Sequence, residues 1–490
     1  ARYSKIYISL WYNKTTNIMT RLLIFTSLLI LSACNSMPTV IAITNESPDC
    51  QPVTIRMTEP VGNSFSYIQC DTITLEKQLE IEIDIDRPCP LFIQELRKPG
   101  IYMMLENGKR YELVFDGTGF KVVNDIAQEK YGSIPPPLIE NHLTTEARKY
   151  ASAATYTELK DIISEKHNEE MSVFESLRRE GKISRKLFKA IATERDIYWR
   201  SITANVAYCH FNSAGKLSDE DHLIWKSAFE DIDMNDPVLT ASRYYRELAE
   251  SCTEYLIFGD PDLDMEKLMA EVEAGRLHTL YIDNYKRILE GSNLEYMIAD
   301  RLFNACFQKD YSKELIDIFE DFQEKFPESN YKEVLGNTLQ PVVDFHSKAE
   351  LRQSGIEIIE GSSKPESFED LLSMFKGRKV YIDVWASWCA PCKEEFKHTA
   401  RLHELLTEKG YEALYISIDN EKNDRKWREM LQGFGLKGRH IRADKGLLKD
   451  LYSLYGSESM AIPWNMIIDE EGRIDEKFAK RPSEIQPEDL

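Results

Sequence analysis

The sequence is poor in the residues that break chains into loops: 22 Gly and 19 Pro among 490 residues exclude a linker-like or fibrous chain. Positive charge is also in deficit, with 61 Lys and Arg against 82 Asp and Glu. The formal charge of −21 repels phosphate backbones, so nucleic acid is not an expected partner. No Walker phosphate loop, His-Glu-x-x-His pair or serine-nucleophile elbow occurs. A second Cys-x-x-Cys or Cys-x-x-His pair is missing too, and Cys209-His210 is isolated, so no metal site is expected. No clean internal repeat is found, which leaves repeat architectures unsupported.

What is present is enough apolar material, 42% of residues with 11% aromatic, to build more than one core. A chain of 490 residues exceeds one core at ~100 to 200 residues per domain, so the chain is multidomain. From about Thr39 to Val123 it alternates like strands: Leu79, Ile81, Ile83 and Ile85 interleave with Glu80, Glu82, Asp84 and Asp86. Apolar runs at Ile101–Leu105 and Tyr111–Phe115 flank the turn signal Asn107-Gly108. These features predict a small all-β domain over residues 34–130, an antiparallel sandwich or barrel, closed by the break Pro135-Pro136-Pro137.

Helical spacing follows over residues 138–349. Leu315, Ile318, Phe319, Phe322 and Phe326 share one face before Pro327 stops the helix, and Leu187–Tyr208 and Tyr281–Phe307 are similarly amphipathic. This central region reads as all-α, a bundle or irregular array. Residues 350–490 alternate strands and helices, which predicts an α/β domain with helices on both faces and a final antiparallel hairpin at Glu471-Gly472.

The N-terminus carries an address. Met19 and Arg21 precede the apolar run Leu22–Leu31, which falls short of the ~20 residues of a membrane-crossing helix. The run reads as a signal peptide over residues 19–33, and Ser32-Ala33-Cys34 resembles the lipobox of bacterial lipoproteins. The resemblance implies lipid attachment at Cys34 and a periplasm-facing protein held on a membrane of the cell envelope. Residues 1–18 read as an upstream extension foreign to the native chain. Export places the remaining cysteines in an oxidising compartment. Any pairing among Cys50, Cys70 and Cys89 stays open, while Cys209, Cys252 and Cys306 sit in helical patterns as small apolar residues.

The chemistry lies in the C-terminal part. The strand-like run Lys379–Trp385 leads to Cys389-Ala390-Pro391-Cys392, with a helix following it until Gly410. A thiolate attacks disulfides, and a free Cys has a pKa of ~8.5, so the attacking thiol must be helped to ionise. Just ahead of a helix, Cys389 meets unpaired N–H groups and the positive dipole end, which marks it as the nucleophile. Cys392, one turn inside, is the resolving thiol. Asp383, set among Tyr381, Ile382, Val384 and Trp385, is the candidate acceptor of the Cys392 proton, since burial raises a carboxyl pKa. Glu395 is a candidate relay for the same proton. Trp388 and Trp385 shape the approach surface or pack beneath it.

The run Val380-Tyr381-Ile382-Asp383-Val384-Trp385-Ala386-Ser387-Trp388-Cys389-Ala390-Pro391-Cys392-Lys393-Glu394-Glu395-Phe396 resembles the active-site segment of the thioredoxin superfamily. More narrowly it is similar to the TlpA/ResA-like reductases, through Glu395, over roughly Ile356–Asp489. The resemblance implies a thioredoxin fold, a cis-proline at Ile462-Pro463 that binds substrate beside Trp388, and no cofactor beyond the redox-active Cys389-Cys392 disulfide. It also implies protein thiol or disulfide clients and a membrane thiol conduit of the DsbD/CcdA kind as reductant, because Pro391 before the second cysteine matches reducing members.

Departures from the pattern stand at three places. The lysine that thioredoxins place near the buried aspartate falls on Tyr415, the helix-kinking proline is replaced by Lys397, and Leu490 falls inside the expected last helix, as in a truncated fragment. One alternative is a lipid-anchored binding module whose helical region docks partners. A lesser one, a peroxidase, wants Thr where Ala386 stands.

Overall fold

The structure is a computed structural model that describes residues 38–48, 52–58, 70–85, 87–95, 98–134, 142–153, 155–260, 262–350, 354–361, 364–457 and 459–490, together with the two-residue strand Tyr7–Ile8. The signal peptide expected over residues 19–33, the lipid site Cys34, Cys50 and the Pro135–Pro137 break lie outside the described residues, as does the 1–18 extension apart from Tyr7–Ile8. No helix among the described residues is long and apolar enough to cross a membrane.

Period-two patterning gives two facing sheets at the N-terminal end. Leu79, Ile81, Ile83 and Ile85 are buried while Glu82 and Asp84 are exposed, as alternation requires. One sheet orders Tyr7–Ile8, Gln78–Ile83, Thr39–Asn45, Arg110–Phe115 and Phe120–Val122; the other orders Cys70–Leu75, Val53–Thr58, Cys89–Glu95 and Ile101–Leu105. Ile41, Ile81 and Tyr111 of the first meet Leu91, Ile93 and Met103 of the second in one core. The sandwich is not wholly antiparallel: Thr39–Asn45 runs parallel to Arg110–Phe115. The Asn107-Gly108 turn, with Gly108 at φ 73°, carries the chain from one sheet to the other.

The helical expectation over Leu187–Tyr208 is met by a helix Arg185–Ala214, capped by Ser184 and ended by Gly215 at φ 72°. Tyr281–Phe307 is instead two helices, Leu277–Ile288 and Gly291–Phe307, broken where Leu289 is extended and Gly291 turns left-handed. Phe92, Tyr102 and Tyr131 pack with Phe174, Leu187 and Ile191 in a single cluster, so the β-rich and helical regions share apolar surface. Arg243 lies 3.9 Å over the Tyr102 ring and 2.7 Å from Glu194, a buried pair within that joint.

Chain contacts divide the molecule into two compact units, Ala1–Arg301 with Asp321–Glu333, and Leu302–Glu320 with Val334–Leu490. Among the described residues the second unit contains six strands: β1 (Ile356–Ile358), β2 (Lys379–Trp385), β3 (Tyr411–Ser417), β4 (Gly438–Arg442), β5 (Trp464–Ile468) and β6 (Ile474–Ala479). Their order is β1-β4-β3-β2-β5-β6, parallel from β1 to β2 and antiparallel from β2 through β5 to β6. Around the sheet run α1 (Phe368–Ser373), α2 (Ala390–Glu395), α3 (Thr399–Lys409), α4 (Asp424–Phe434) and α5 (Lys445–Tyr455). One face buries Ile382, Val384, Ile416 and Leu447, and the other Tyr381, Leu402, Leu406 and Ile467. This is the thioredoxin arrangement.

Three local differences follow. The helix after the cysteines is interrupted by a 3₁₀ turn at Phe396–His398 even though Lys397 stands where a proline was wanted. The unit also reaches back beyond residue 350: Phe345, on the helix Lys332–Glu350, packs at 5.1 Å against Phe434, which stands 5.2 Å from Phe396. After β6 the chain holds no long helix; Ile485 is buried beside Tyr381 and Leu402, and a 3₁₀ turn spans Pro487–Asp489.

Candidate active site

A strand paired on both edges and covered on both faces should be apolar throughout, and Val380–Trp385 of β2 are all buried. The strand delivers the chain to the cysteines through a fixed turn. Ser387 donates from its N–H and its Oγ to the two carboxylate oxygens of Asp419, each at 2.8 Å, and Ser417 Oγ donates to the same group at 2.8 Å. Asp419, buried just past the end of β3, was not singled out by sequence reasoning; its only signal is an acidic residue closing a strand at Ser417-Ile418-Asp419.

Cys389 is the N-cap of α2, and its Sγ accepts the Cys392 N–H at 3.1 Å. Pro391 fills the first turn, where a missing N–H costs nothing. The two cysteines form a disulfide with Cα atoms 5.3 Å apart. Cys392 is fully buried and Cys389 is 4% exposed, whereas Trp388 is 58% exposed. Cys389 Sγ lies 3.8 Å from the carbonyl oxygen of Ile462, and the Ile462–Pro463 peptide bond is cis. Trp385 is buried edge-on to Phe396 at 5.0 Å and forms the floor under the site.

Asp383 is buried, and neither of its carboxylate oxygens is within hydrogen-bond geometry of a partner among the described residues. Burial first, and then the Glu395 charge, push its pKa up to about 7, against smaller opposing effects of Asn465 and Arg481. Asn465 faces Asp383 across the β2–β5 register, with its own amide atoms unpaired. Glu395 is anchored to Ser483, accepting its N–H at 2.9 Å and its Oγ at 3.0 Å. Tyr415 occupies the β3 position opposite Asp383, so the residue in place of the usual lysine is a buried phenol. Its hydroxyl is 2.8 Å from His403 Nε2, and its ring stacks on His440 at 4.9 Å.

Lys393, directly after Cys392, is buried, where a lysine is ordinarily exposed. Its Nζ donates to the Lys309 carbonyl at 2.6 Å and lies 6.0 Å over the Tyr311 ring. Burial, with Lys426 and Lys309 nearby, presses its pKa down to about 8 against the pull of Asp310 and Asp419. No cluster of His, Cys, Asp or Glu among the described residues could hold a metal ion.

Comparison with known proteins converges on this region. The model of the AhpC/TSA family matches residues 363–477. The thiol-disulfide oxidoreductase ResA of Bacillus thuringiensis is 27% identical over 118 residues, covering 24% of this chain and 64% of that protein. ResA of Bacillus subtilis is 33% identical over 72 residues, 13% of this chain and 40% of that one. The chain thus spans 64% of the length of the first relatives it matches. Among solved structures, a Bacteroides vulgatus protein described as a thiol-disulfide oxidoreductase is 30% identical, with 23% of this chain and 70% of that chain covered and a TM-score of 0.20. A thiol-disulfide oxidoreductase of Bacteroides fragilis is 25% identical, covering 24% of this chain and 78% of its own, at a TM-score of 0.19. The C-terminal segment that carries the cysteine pair is thus similar to the thioredoxin-family thiol-disulfide oxidoreductases.

Proposed function

We propose that the whole protein is an envelope thiol-disulfide oxidoreductase that reduces client disulfides through Cys389 and Cys392. The observation that carries this reading is the setting of Cys389: its sulfur takes the N–H of Cys392 at the head of α2 and faces the Ile462 carbonyl beside cis-Pro463. In the reduced protein the same N–H and helix end stabilise a thiolate. That thiolate attacks one client sulfur, the client S–S bond breaks, and a mixed disulfide forms. Cys392 then loses its proton to Asp383 and attacks Cys389 Sγ; the client leaves as a thiolate, and the Cys389-Cys392 disulfide holds the two electrons' worth of oxidation. Ile462 offers its backbone to an extended client segment, with Trp388 flanking it.

Asp383 suits the proton step because its carboxyl, held near neutrality by burial, both accepts and releases a proton under physiological conditions. Glu395, tied to Ser483, acts on Asp383 through its charge and is the second candidate to relay the Cys392 proton. A peroxidase reading has less support, since fully buried Ala386 supplies no hydroxyl three residues before Cys389. The reading includes lipid attachment at Cys34, a periplasm-facing position and recharging by a membrane dithiol conduit of the DsbD/CcdA kind. No cofactor is needed beyond the cysteine pair.

Insulin reduction with dithiothreitol as electron donor tests the chemistry. Cys389→Ser should abolish it, and Cys392→Ser should accumulate mixed disulfides on Cys389 that survive acid quenching and identify clients by mass spectrometry. Full activity in Cys389→Ser would overturn the proposal and favour a binding role for the helical region.

A further inference from the structure

Beneath α3 the sheet carries a polar layer inside an apolar one. Asp383, Asn465, Tyr415 and His440 occupy matching register positions on β2, β5, β3 and β4, so their side chains share a face, and all four are buried. His403 reaches them from α3. Burying so many polar groups is costly unless each finds a partner, yet both Asp383 oxygens and His440 Nδ1 are unpaired among the described residues. His440 Nε2 sits 2.8 Å from the Leu436 carbonyl, so that nitrogen carries the hydrogen and Nδ1 is a bare acceptor. Of the two imidazoles, only His403 reaches the outside: it is half-buried and lines a cleft of about 450 Å³ with Gly355, Thr407, Tyr411, Lys437 and Arg439.

We propose that Tyr415 and His403 form the route by which the proton taken up by Asp383 reaches solvent, with His403 as the positioning residue at the cleft. This rests on the reading of Asp383 as acceptor of the Cys392 proton. The 2.8 Å contact between His403 Nε2 and the Tyr415 hydroxyl lets either group donate. With the hydrogen on Nδ1, Tyr415 donates to Nε2 and turns a lone pair toward Asp383. Discharge then runs as a chain of exchanges. The Asp383 O–H bond breaks as a Tyr415 O–H bond forms, the original Tyr415 hydrogen passes to His403 Nε2, and Nδ1 gives its hydrogen to water in the cleft. Asp383 ends as a carboxylate, Tyr415 and His403 end neutral, one proton has left, and no electrons have moved. Asp383 and Tyr415 are not hydrogen-bonded in the disulfide form, so the proposed route includes a water between them.

The surroundings favour neutral carriers. Asp383 feels Glu395 from α2 and Arg481 from beyond β6, with Tyr381 on its own strand. His403 feels Lys437 and lies near His440, and burial with the Lys437 charge holds its pKa down at about 4. An imidazole neutral at physiological pH passes a proton by changing tautomer, without storing a charge.

The test follows the second half-reaction by stopped flow: resolution of a mixed disulfide preformed on Cys389 of the full chain, across pH. His403→Ala should slow resolution by about ten-fold, less than the ~100-fold that loss of a general base costs. The first attack by Cys389 on a small aromatic disulfide should keep its rate. Imidazole added to His403→Ala should enter the cleft and restore at least half of the lost rate, a rescue that a purely structural role would not give. In an Asp383→Asn background His403→Ala should have no further effect. Tyr415→Phe, which keeps the stacking on His440, should show the same slowing and no imidazole rescue, and it serves if His403→Ala does not fold. Resolution at the wild-type rate in both variants, or slowing that imidazole does not relieve in His403→Ala, overturns the relay. Failure of wild-type Cys389 to form any mixed disulfide would instead remove the reading on which the relay stands.

Discussion

At the scale of single residues, the site depends on polar groups placed where water cannot reach them. Asp383 illustrates the cost. Its folded-state pKa, up from 3.8 to about 7, means that the folded protein holds the proton more tightly than the unfolded chain does. Stability from this group is therefore complete below about pH 4 and is lost as pH rises toward about 7, where ionisation must occur inside the core. Asp383→Asn should leave stability unchanged at the acid end and raise it above neutrality by no more than about 4 kcal/mol, as read from urea unfolding at several pH values. The same substitution should slow disulfide resolution, so stability and activity change in opposite directions. Asp419 acts differently, through geometry. Removing its carboxylate in Asp419→Ala frees the Ser387 N–H and hydroxyl at once and should destabilise the oxidised protein by roughly 2 to 3 kcal/mol, visible as a lower unfolding midpoint. Cys389 and Cys392 were legible in the sequence because spacing and a following helix express their chemistry locally. Asp419 was not, because the serine it holds is 32 residues away, and Lys393 was not, because the carbonyl that buries it is 84 residues away.

At the scale of elements, α4 and the helix Lys332–Glu350 meet at a point where a side chain is forbidden. A Cβ on Gly433 would lie 2.1 Å from the Phe345 ring. That ring cannot swing clear, since Tyr311 at 4.8 Å and Phe434 at 5.1 Å hold it. Gly433→Ala should therefore cost about 1 to 3 kcal/mol of unfolding free energy. Phe345→Ala combined with Gly433→Ala should recover part of that loss, measured as a non-additive double-mutant cycle. Element types were readable where periodicity was strong: β2 falls on the residues expected, Lys379–Trp385. Alternation in the N-terminal sheets could not distinguish a parallel neighbour from an antiparallel one, because both bury every second side chain; hence the unforeseen pairing of Thr39–Asn45 with Arg110–Phe115. The 3₁₀ break at Phe396–His398 also left no trace, since Phe-Lys-His contains no helix breaker.

At the scale of the whole molecule, the redox unit is larger than its family likeness. The family model's match begins at residue 363, while the compact unit recruits Leu302–Glu320 and the helix from Val334 onward. A fragment of residues 354–490 would lose Phe345, Tyr311 and the Lys309 carbonyl that Lys393 needs. It should unfold at lower urea than a fragment of residues 302–490, and its Lys393 should lose the contact that buries it. Sequence composition signalled the changes from strand to helix to mixed character, but not this sharing. A helix shows its apolar face in its own sequence and does not name the element it will cover.

The near-complete enclosure of Cys389 bears on client choice under the proposed activity. With 4% of the residue open beside a projecting indole, a partner sulfur has only a narrow lane of approach. A bond locked inside a rigid domain cannot thread that lane, whereas one in a slack or half-made chain can. Selection would then fall on how loosely the target is held rather than on the letters around its cysteines.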